Sequence, residues 1–260
     1  MKNSQNMRVC LIGAGNLATQ LGMALSEKRH QIVQVWSRTA QSASILSSKL
    51  NCPSTTDLSA LVSKADIFIV AVSDKAIEVI LAKHSWGNAL VVHTSGSTPM
   101  DILSRYCTNF GVFYPFQTFT IAKKVVFDEV PVCIEANTPQ NLEILTDLAQ
   151  SISRNIRLID SGQRQQIHLA AVFACNFVNH FYAIGELLLQ EKGIDFDILK
   201  PLILETAAKA VAQSPGNSQT GPASRNDQNI MNKHLALLEN HPDLKALYET
   251  ISDRIIHTIK

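Results

Sequence analysis

The sequence has few cysteines, and their spacing does not suggest a shared structural role. The five cysteines are scattered between Cys10 and Cys175 and include no C-x-x-C pair. Disulfide-stabilised domains and structural zinc sites both depend on paired spacings. We therefore expect a reducing compartment, no disulfide framework and no metal site.

The chain also lacks a charge excess and a long hydrophobic run. It has 23 basic and 22 acidic residues, so nothing favours binding to nucleic acid or to an anionic membrane surface. No apolar run approaches the length of a membrane span, and the N-terminal MKNSQNMRV lacks the apolar core of a secretion signal. These absences predict a soluble cytoplasmic protein whose partners are small molecules.

The most informative segment is MRVCLIGAGNLA, residues 7–18, in which a short apolar strand runs through a glycine turn into a helical pattern. Gly13 allows the tight turn, Gly15 lets a pyrophosphate approach the backbone, and Ala18 lets the helix pack closely on the sheet. The phosphates would lie on free N–H groups at a helix N-terminus. The segment predicts a dinucleotide-binding turn.

The second predicted strand, QIVQVWSR at 31–38, lacks the acid that an NAD-selective protein places on the ribose 2′-hydroxyl. Ser37, Arg38 and Thr39 stand there instead and suit a 2′-phosphate. We therefore predict NADP(H) rather than NAD as the cofactor. The alternative is that Arg38 is only a solvated surface charge.

Apolar runs alternate with helical segments as far as residue 160. The predicted strands lie at 7–12, 31–36, 66–72, 89–93, 110–114, 130–134 and 155–159. This alternation is typical of an α/β fold with a doubly wound, mostly parallel Rossmann-type sheet. Thr138 is the predicted N-cap of the last helix of this part.

The remainder of the chain reads as helical, which predicts two domains. Residues 1–160 would form a Rossmann NADP-binding domain, and residues 161–260 a helical substrate and dimerisation domain. A helix over 163–191 is apolar on most sides, as expected of a segment buried between domains or subunits. Further helices are predicted from Asp195 or Asp197 to about 213, and at 228–240 and 242–258, with a loop at 214–227.

Two loops follow buried strands at the edge of the sheet where ligands bind. The residues that we predict to contact the cofactor there are Val72, Ser73, Asp74, His93, Ser95 and Gly96. The alternative for the second loop is that its polar residues only form a turn and a helix cap, because Thr98 to Asp101 resembles a capping box. His93 has an alternative as a locally satisfied histidine.

Four polar residues interrupt the apolar long helix, and their spacing puts them on one broad side at 3.6 residues per turn. They are His168, Asn176, Asn179 and His180. Buried polar groups need partners, which a substrate pocket would supply. We predict His168 as proton donor and Asn176 as positioning group. The alternative is hydrogen bonding between helices.

The segment TGPASRND, residues 220–227, presents an arginine in a turn. Gly221 and Pro222 would fix the turn, and Asp227 would cap the next helix. Arg225 is then a candidate ligand for a substrate carboxylate or phosphate, although it could instead only bridge helices. Glu205 and Lys209 have the spacing of an ordinary surface pair.

The chain resembles a bacterial group related to pyrroline-carboxylate reductases and to 6-phosphogluconate and 3-hydroxyisobutyrate dehydrogenases. It looks more like proteins labelled NADP oxidoreductases of the deazaflavin-dependent type, with a Rossmann-like domain and a helical C-terminal domain, than like those wider relatives. The resemblance spans essentially the whole chain. The motifs that carry it are GAGNLA (13–18), WSRT (36–39), HTSGS (93–97), YPFQTF (114–119), HLAAVFACNFVNH (168–180) and TGPASRND (220–227).

The resemblance implies an active site in a cleft between domains and dimers formed through the helical domain. The cofactor contacts that it implies are Gly13, Gly15, Asn16, Leu17, Ser37 and Arg38. The hydroxyacid dehydrogenases carry a lysine on the long helix with an asparagine one turn later, whereas His168 and Val172 stand near those positions here. Their proton-transfer machinery therefore does not carry over, and no residue identifies a deazaflavin site.

Together these features predict an NADP(H)-dependent oxidoreductase that transfers a hydride between nicotinamide and a small carbonyl or imine compound, which is anionic if Arg225 binds it. One alternative is a pyrroline-carboxylate-reductase-like imine reductase acting on a cyclic amino acid. Another is a protein that senses NADP(H) without turnover.

Overall fold

The computed structural model describes residues 6–258. The strands are β1 (Arg8–Ile12), β2 (Gln31–Trp36), β3 (Ser54–Thr55), β4 (Ile67–Val70), β5 (Leu90–His93), β6 (Asn109–Pro115), β7 (Val132–Ala136) and β8 (Ile156–Leu158). The α-helices are α1 (Asn16–Glu27), α2 (Ala40–Leu50), α3 (Asp74–Leu81), α4 (Pro139–Ile152), α5 (Ser161–Ala171), α6 (Val178–Gln190), α7 (Lys200–Ala212), α8 (Gln228–Leu237) and α9 (Pro242–Thr258).

All eight strands form one sheet in the order β3-β2-β1-β4-β5-β6-β7-β8. Neighbouring strands are parallel except β6 and β7, which are antiparallel. The predicted mostly parallel, doubly wound α/β fold is confirmed; the two-residue strand β3 was not predicted. Strand order reverses between β1 and β4, and ligands of such sheets bind at the carboxyl ends of the strands at this reversal.

Strand β1 shows why the apolar runs are nearly continuous. Val9 and Leu11 pack into one apolar layer, and Cys10 and Ile12 pack into the other. Because side chains alternate between the faces of a strand, a sheet covered on both faces needs apolar residues at every position.

Two helix caps predicted from the sequence are confirmed. The Thr138 side chain accepts a hydrogen bond from the Asn141 N–H, and Asp227 accepts one from the Ile230 N–H. The Glu205 and Lys209 pair is also confirmed as an exposed ion pair, with Nζ and Oε1 3.2 Å apart.

The capping box expected at Thr98 is wrong. Residues Met100–Arg105 form a 3-10 turn without a side-chain cap. The Thr98 hydroxyl instead accepts a hydrogen bond from the Ser95 hydroxyl at 2.9 Å. The loop binds its own side chain because no regular helix follows to compete for it.

The predicted long helix runs from Ser161 to Gln190 but is not regular. Residues Val172–Phe177 between α5 and α6 are π-helical. By length and composition alone, it is the one helix among residues 6–258 that could cross a membrane, and none of its most apolar 18-residue window is buried within the chain. The expected burial therefore requires something other than this single chain.

The chain divides into two compact units, Met1–Phe177 and Val178–Lys260. The first contains the whole sheet, and the second contains α6 to α9. Since the division rests on compactness alone, the functional boundary between residues 160 and 161 stays a prediction.

Candidate cofactor and active site

The turn between β1 and α1 has the geometry of a dinucleotide-binding turn. Gly13 has a φ of +126°, and a Cβ there would lie 2.1 Å from the Ala71 carbonyl oxygen, so only glycine fits. A Cβ on Gly15 would meet no atom within 4 Å. Gly15 is also the N-cap of α1, which has no side-chain cap and no acid in its first turn. The space and the free N–H groups suit a diphosphate.

Helix α1 also holds the loop that joins β6 to β7, which the sequence analysis missed. The Asn16 amide donates to the Phe119 carbonyl at 3.0 Å. The buried Gln20 amide donates to the carbonyls of Thr120 and Lys123, and its oxygen accepts from the Val125 N–H. This loop is therefore fixed beside the glycine turn. Leu17, also predicted as a cofactor contact, is half-buried in the first turn of α1.

The segment that follows β2 contains one unpaired basic side chain, Arg38, and no acidic residue. Arg38 is exposed, and the described part of the chain holds no ion pair to it. Ser37 is buried and its N–H donates to the Thr55 carbonyl at 3.2 Å. The Thr39 hydroxyl is the N-cap acceptor of α2. Arg38 is thus the side chain of the three that is free to bind a phosphate.

The loops after β4 and β5 meet each other. Ser73 is the N-cap of α3, Asp74 is the first residue of that helix, and Val72 before them is half-buried. The Ser97 hydroxyl donates to the Asp74 carboxylate. The Ser95 hydroxyl accepts from the Ser97 N–H at 3.2 Å, which closes the second loop on itself.

His93 is fully buried at the end of β5, where its Nδ1 accepts from the Ser95 N–H at 3.2 Å. Burial lowers the pKa of His93 to about 4; the Arg164 charge adds to this, and the Pro99 carbonyl and Asp74 oppose it. The neutral form therefore persists at physiological pH. Its Nε2 is buried without a hydrogen-bond partner among the described residues, so the ring is satisfied locally at Nδ1 alone and the cofactor contact of His93 stays a prediction.

His168 and Tyr114 converge on the loop after β5. The Tyr114 hydroxyl lies 3.3 Å from His168 Nδ1. A Cβ on Gly96 would lie 2.6 Å from that Nδ1 and 2.8 Å from the Tyr114 oxygen. Tyr114 stands near the carboxyl end of β6, so this cluster lies at the same edge of the sheet as the glycine turn. Tyr114 lies in the motif YPFQTF, but no local signal in the sequence gives it a role.

Two family models match parts of the sequence. The shikimate/quinate 5-dehydrogenase model matches residues 1–102, and a domain of unknown function (DUF2520) matches residues 130–255. No functionally curated protein matches the chain.

A Bacteroides fragilis protein described as a "putative NADP oxidoreductase" has a solved structure that is 41% identical to this chain. The match covers 98% of this chain and 100% of that one, with a TM-score of 0.91. The chain belongs to this NADP oxidoreductase family. The resemblance found in the sequence is confirmed.

Two more distant solved structures share the fold. An imine reductase from Myxococcus stipitatus, solved with NADP⁺, is 15% identical over 97% of this chain and 92% of its own, with a TM-score of 0.68. A 1-pyrroline-5-carboxylate reductase from Streptococcus pyogenes is 13% identical over 96% of this chain and 98% of its own, with a TM-score of 0.61. At this identity the likeness extends to the fold alone.

The remaining predicted site residues of this oxidoreductase lie on exposed helix surfaces. Asn176 is exposed in the π-helical segment, Asn179 and His180 are exposed on α6, and Arg225 is exposed in a short 3-10 turn. The described structure shows no hydrogen bond that joins these four residues. The prediction that His168 and these three helix residues share one side assumed 3.6 residues per turn. That spacing does not hold across the π-helical segment, which is wound more loosely.

The helical unit of the oxidoreductase contains a cavity of about 360 Å³ that the sequence did not reveal. Its walls are largely apolar and come from α6, α8, α9 and the turn at 220–223. The one polar pair in the wall joins His234 Nδ1 to the Tyr248 hydroxyl at 2.9 Å.

Proposed function

We propose that this NADP-dependent oxidoreductase transfers a hydride between NADP(H) and a small carbonyl or imine compound, with His168 as the proton donor. The observation that carries the proposal is the cluster at the edge of the sheet, where the His168 ring packs over Gly96 beside the Tyr114 hydroxyl. It supplies a partly exposed titratable group in the crevice where this fold binds its ligands.

The residues around the glycine turn fit NADP. Gly13 and Gly15 leave room for the diphosphate at the N-terminus of α1, and Arg38 offers an unpaired guanidinium for the 2′-phosphate. The loops at 72–74 and 95–96 would hold the nicotinamide ribose. When bound, NADPH supplies the hydride to the substrate carbon.

His168 would complete the reduction by giving a proton to the substrate oxygen or nitrogen. The Tyr114 hydroxyl at Nδ1 orients the ring and leaves Nε2 for the substrate. Burial raises the pKa of Tyr114 to about 12, so its hydroxyl keeps its proton at neutral pH. The protonated hydroxyl of Tyr114 is therefore available to hydrogen-bond His168 Nδ1, which is the role that we assign to it.

Four further side chains would shape the substrate site. We assign Asn176, Asn179 and His180 to positioning the substrate, and Arg225 to an anionic group on it. Exposure of all four supports their availability to a ligand. The domain roles follow from this assignment: residues 1–160 bind the cofactor, and residues 161–260 provide the substrate and dimerisation surfaces.

The second candidate is an imine reductase acting on a cyclic amino acid. It is supported by a fold shared with an imine reductase and with a pyrroline-carboxylate reductase. Since one fold hosts many chemistries, the choice depends on the substrate test.

We further infer that the protein is a soluble, cytoplasmic homodimer. Large apolar side chains are exposed on the long helix and on α7, including Phe173, Phe181, Leu202 and Leu204. Exposed apolar surface of this extent marks an interaction surface. A second copy, packed through the helical domain, would cover it.

The function is tested by following NADPH oxidation with panels of 2-keto acids and cyclic imines. We expect turnover with one panel, and His168→Ala should lower kcat by about 10²- to 10⁴-fold without changing NADPH affinity, because general acid catalysis contributes on this scale. His257→Ala, an exposed histidine on α9, is the matched control. If wild type and His168→Ala were equally inert yet both bound NADPH, the sensor alternative would replace this proposal.

A further inference from the structure

Arg164 is the largest fully buried side chain of the described chain, and every nitrogen of its guanidinium is used. Its side chain is 1% exposed. Nε donates to the Ser95 carbonyl at 3.1 Å, Nη2 donates to the Thr98 carbonyl at 2.6 Å, and Nη1 donates to Glu135 Oε2 at 2.6 Å. One side chain of α5 thus connects the loop after β5 to strand β7.

Stability alone does not call for such a pair. Replacing a buried ion pair by apolar residues of similar volume is often neutral or stabilising, because both charges must be desolvated. A planar guanidinium instead fixes its acceptors in direction as well as distance. A fourth acceptor is the Ser161 hydroxyl, 3.2 Å from Nη2. Two of the four acceptors are backbone carbonyls of one loop, so the geometry held is that of residues 95–98.

Neighbouring residues on α5 tie the helix to the same loop. The Gln165 amide donates to the Ser97 carbonyl at 2.8 Å. The Ser161 hydroxyl donates to Glu135 at 2.8 Å and accepts from the Met100 N–H at 2.9 Å. The first turn of α5 is therefore bound to the loop at several points.

His168 lies one helical turn after Arg164, and side chains four residues apart share a helix face. The tied loop contains Gly96, whose missing Cβ leaves just enough space for the His168 ring. Arg164 makes the buried bonds between this helix and the loop, and Gln165 adds a bond from an exposed position.

We propose that Arg164, neutralised by Glu135, is the positioning residue that holds His168 against the loop at residues 95–98. The inference rests on the proposed role of His168 as proton donor. Arg164 itself, being buried, touches neither substrate nor cofactor.

Arg164→Lys tests the proposal, since lysine keeps the positive charge beside Glu135 but lacks the planar guanidinium that donates to several acceptors at once. We expect a folded protein with unchanged NADPH affinity and a kcat about 100-fold lower, the scale of a displacement of about 1 Å. Arg154→Lys is the matched control, because the exposed Arg154 pairs with Asp128 at 2.5 Å and should lose nothing.

A double variant covers the case in which Arg164→Lys does not fold. Arg164→Met with Glu135→Met removes both buried charges and keeps apolar volume, so it should fold and show the same loss of kcat. A folded variant with wild-type kcat would overturn the proposal. Failure of both variants to fold would also count against it, since Arg164 would then be a stability residue.

An NMR measurement separates this proposal from the proposed function. A nuclear Overhauser effect between the His168 ring and the Gly96 α-protons should be present in the wild type and absent in a folded Arg164 variant. If wild type turned over no substrate but the variant lost this signal, the function would fail and the positioning role would stand. An undiminished signal in the variant would overturn the positioning role whatever its kcat.

Discussion

A single missing methyl group decides the arrangement of the cluster that His168 and Tyr114 form at Gly96. Gly96 allows both the Tyr114 hydroxyl and the His168 ring to occupy the volume that a Cβ would take. Arg164 and Glu135 then hold the loop in that place. The roles of Arg38 and His93 can likewise each be tested by a single substitution.

Arg38→Ala should remove the preference for NADPH over NADH. A charge-assisted hydrogen bond contributes about 1.5 kcal/mol or more, which corresponds to about a tenfold loss of NADPH affinity with little change for NADH. Isothermal titration calorimetry with both cofactors measures this. Arg157→Ala, an exposed arginine on β8, should change neither affinity, and equal wild-type affinities for both cofactors would contradict the prediction.

Protonation of His93 should lower the free energy of unfolding in acid. Burial lowers its pKa to about 4 in the folded protein, against 6.5 ordinarily, so the unfolded chain binds the proton more tightly. The contribution of neutral His93 to the free energy of unfolding is fully present above pH 6.5. It falls by roughly 3 kcal/mol as the pH falls towards 4.

The measurement is urea unfolding at pH 7.5 and 4.5. His93→Gln should show a smaller difference in unfolding free energy between the two pH values than the wild type. His257→Gln, at an exposed position, should keep the wild-type difference. An unchanged pH dependence in His93→Gln would show that other groups cause the loss.

At the scale of elements, α1 has two tasks. Its N-terminus has free N–H groups that suit the diphosphate of the cofactor, and Gln20 on the same helix binds the loop between β6 and β7. Gln20 makes three hydrogen bonds to backbone groups of residues 120–125, which no other secondary structure satisfies. Gln20 therefore provides most of the hydrogen bonds between α1 and this loop, and Asn16 and Glu27 add one each, to Phe119 and Lys124.

Gln20→Met should loosen that loop. Three backbone groups would lose their partner, at a cost of about 2 kcal/mol. We expect faster hydrogen exchange of the amides at 118–125 by mass spectrometry, with the sheet unaffected. Gln31→Met, at an exposed position on β2, is the control. Unchanged exchange in Gln20→Met would mean that the loop is held by its other contacts.

Across the whole molecule, apolar exposure is concentrated on helices of the C-terminal half. On α7, Leu202 is 61% exposed, Leu204 is 71% exposed and Val211 is 90% exposed. Isolated apolar residues on a surface are normal, but a helix exposed on nearly all its apolar positions needs a partner. The proposed dimer supplies one.

Leu204→Glu should dissociate that dimer. A carboxylate in an apolar interface is desolvated without a partner, so we expect the wild type to sediment at twice the chain mass and the variant as a monomer. Val126→Glu is the control, because Val126 is equally exposed but lies in the loop before β7. A monomeric wild type at micromolar concentration would refute the dimer.

Caps and strands were predictable where the signal was local. Thr138 and Asp227 precede their helices directly, and their hydroxyl or carboxylate needs only the next three residues to form a cap. Asp160 and Gln163 form a capping box of the same local kind, which was not among the predicted caps. The 3-10 turn after Pro99 was not predictable in this way, because the bond between the Ser95 and Thr98 hydroxyls depends on the conformation of the whole loop.

The sequence by itself determined the glycine turn, the cation without an acid after β2, and the alternation of strands and helices, because each depends on residues within a few positions of one another. Only the tertiary structure decided which loop Gln20 binds, that Tyr114 meets His168, and that Arg164 joins Ser95 to Glu135. These contacts link residues that are 29 to 105 positions apart. The order of the strands and the antiparallel pairing of β6 with β7 bring these residues together. Neither feature can be predicted from a local sequence pattern.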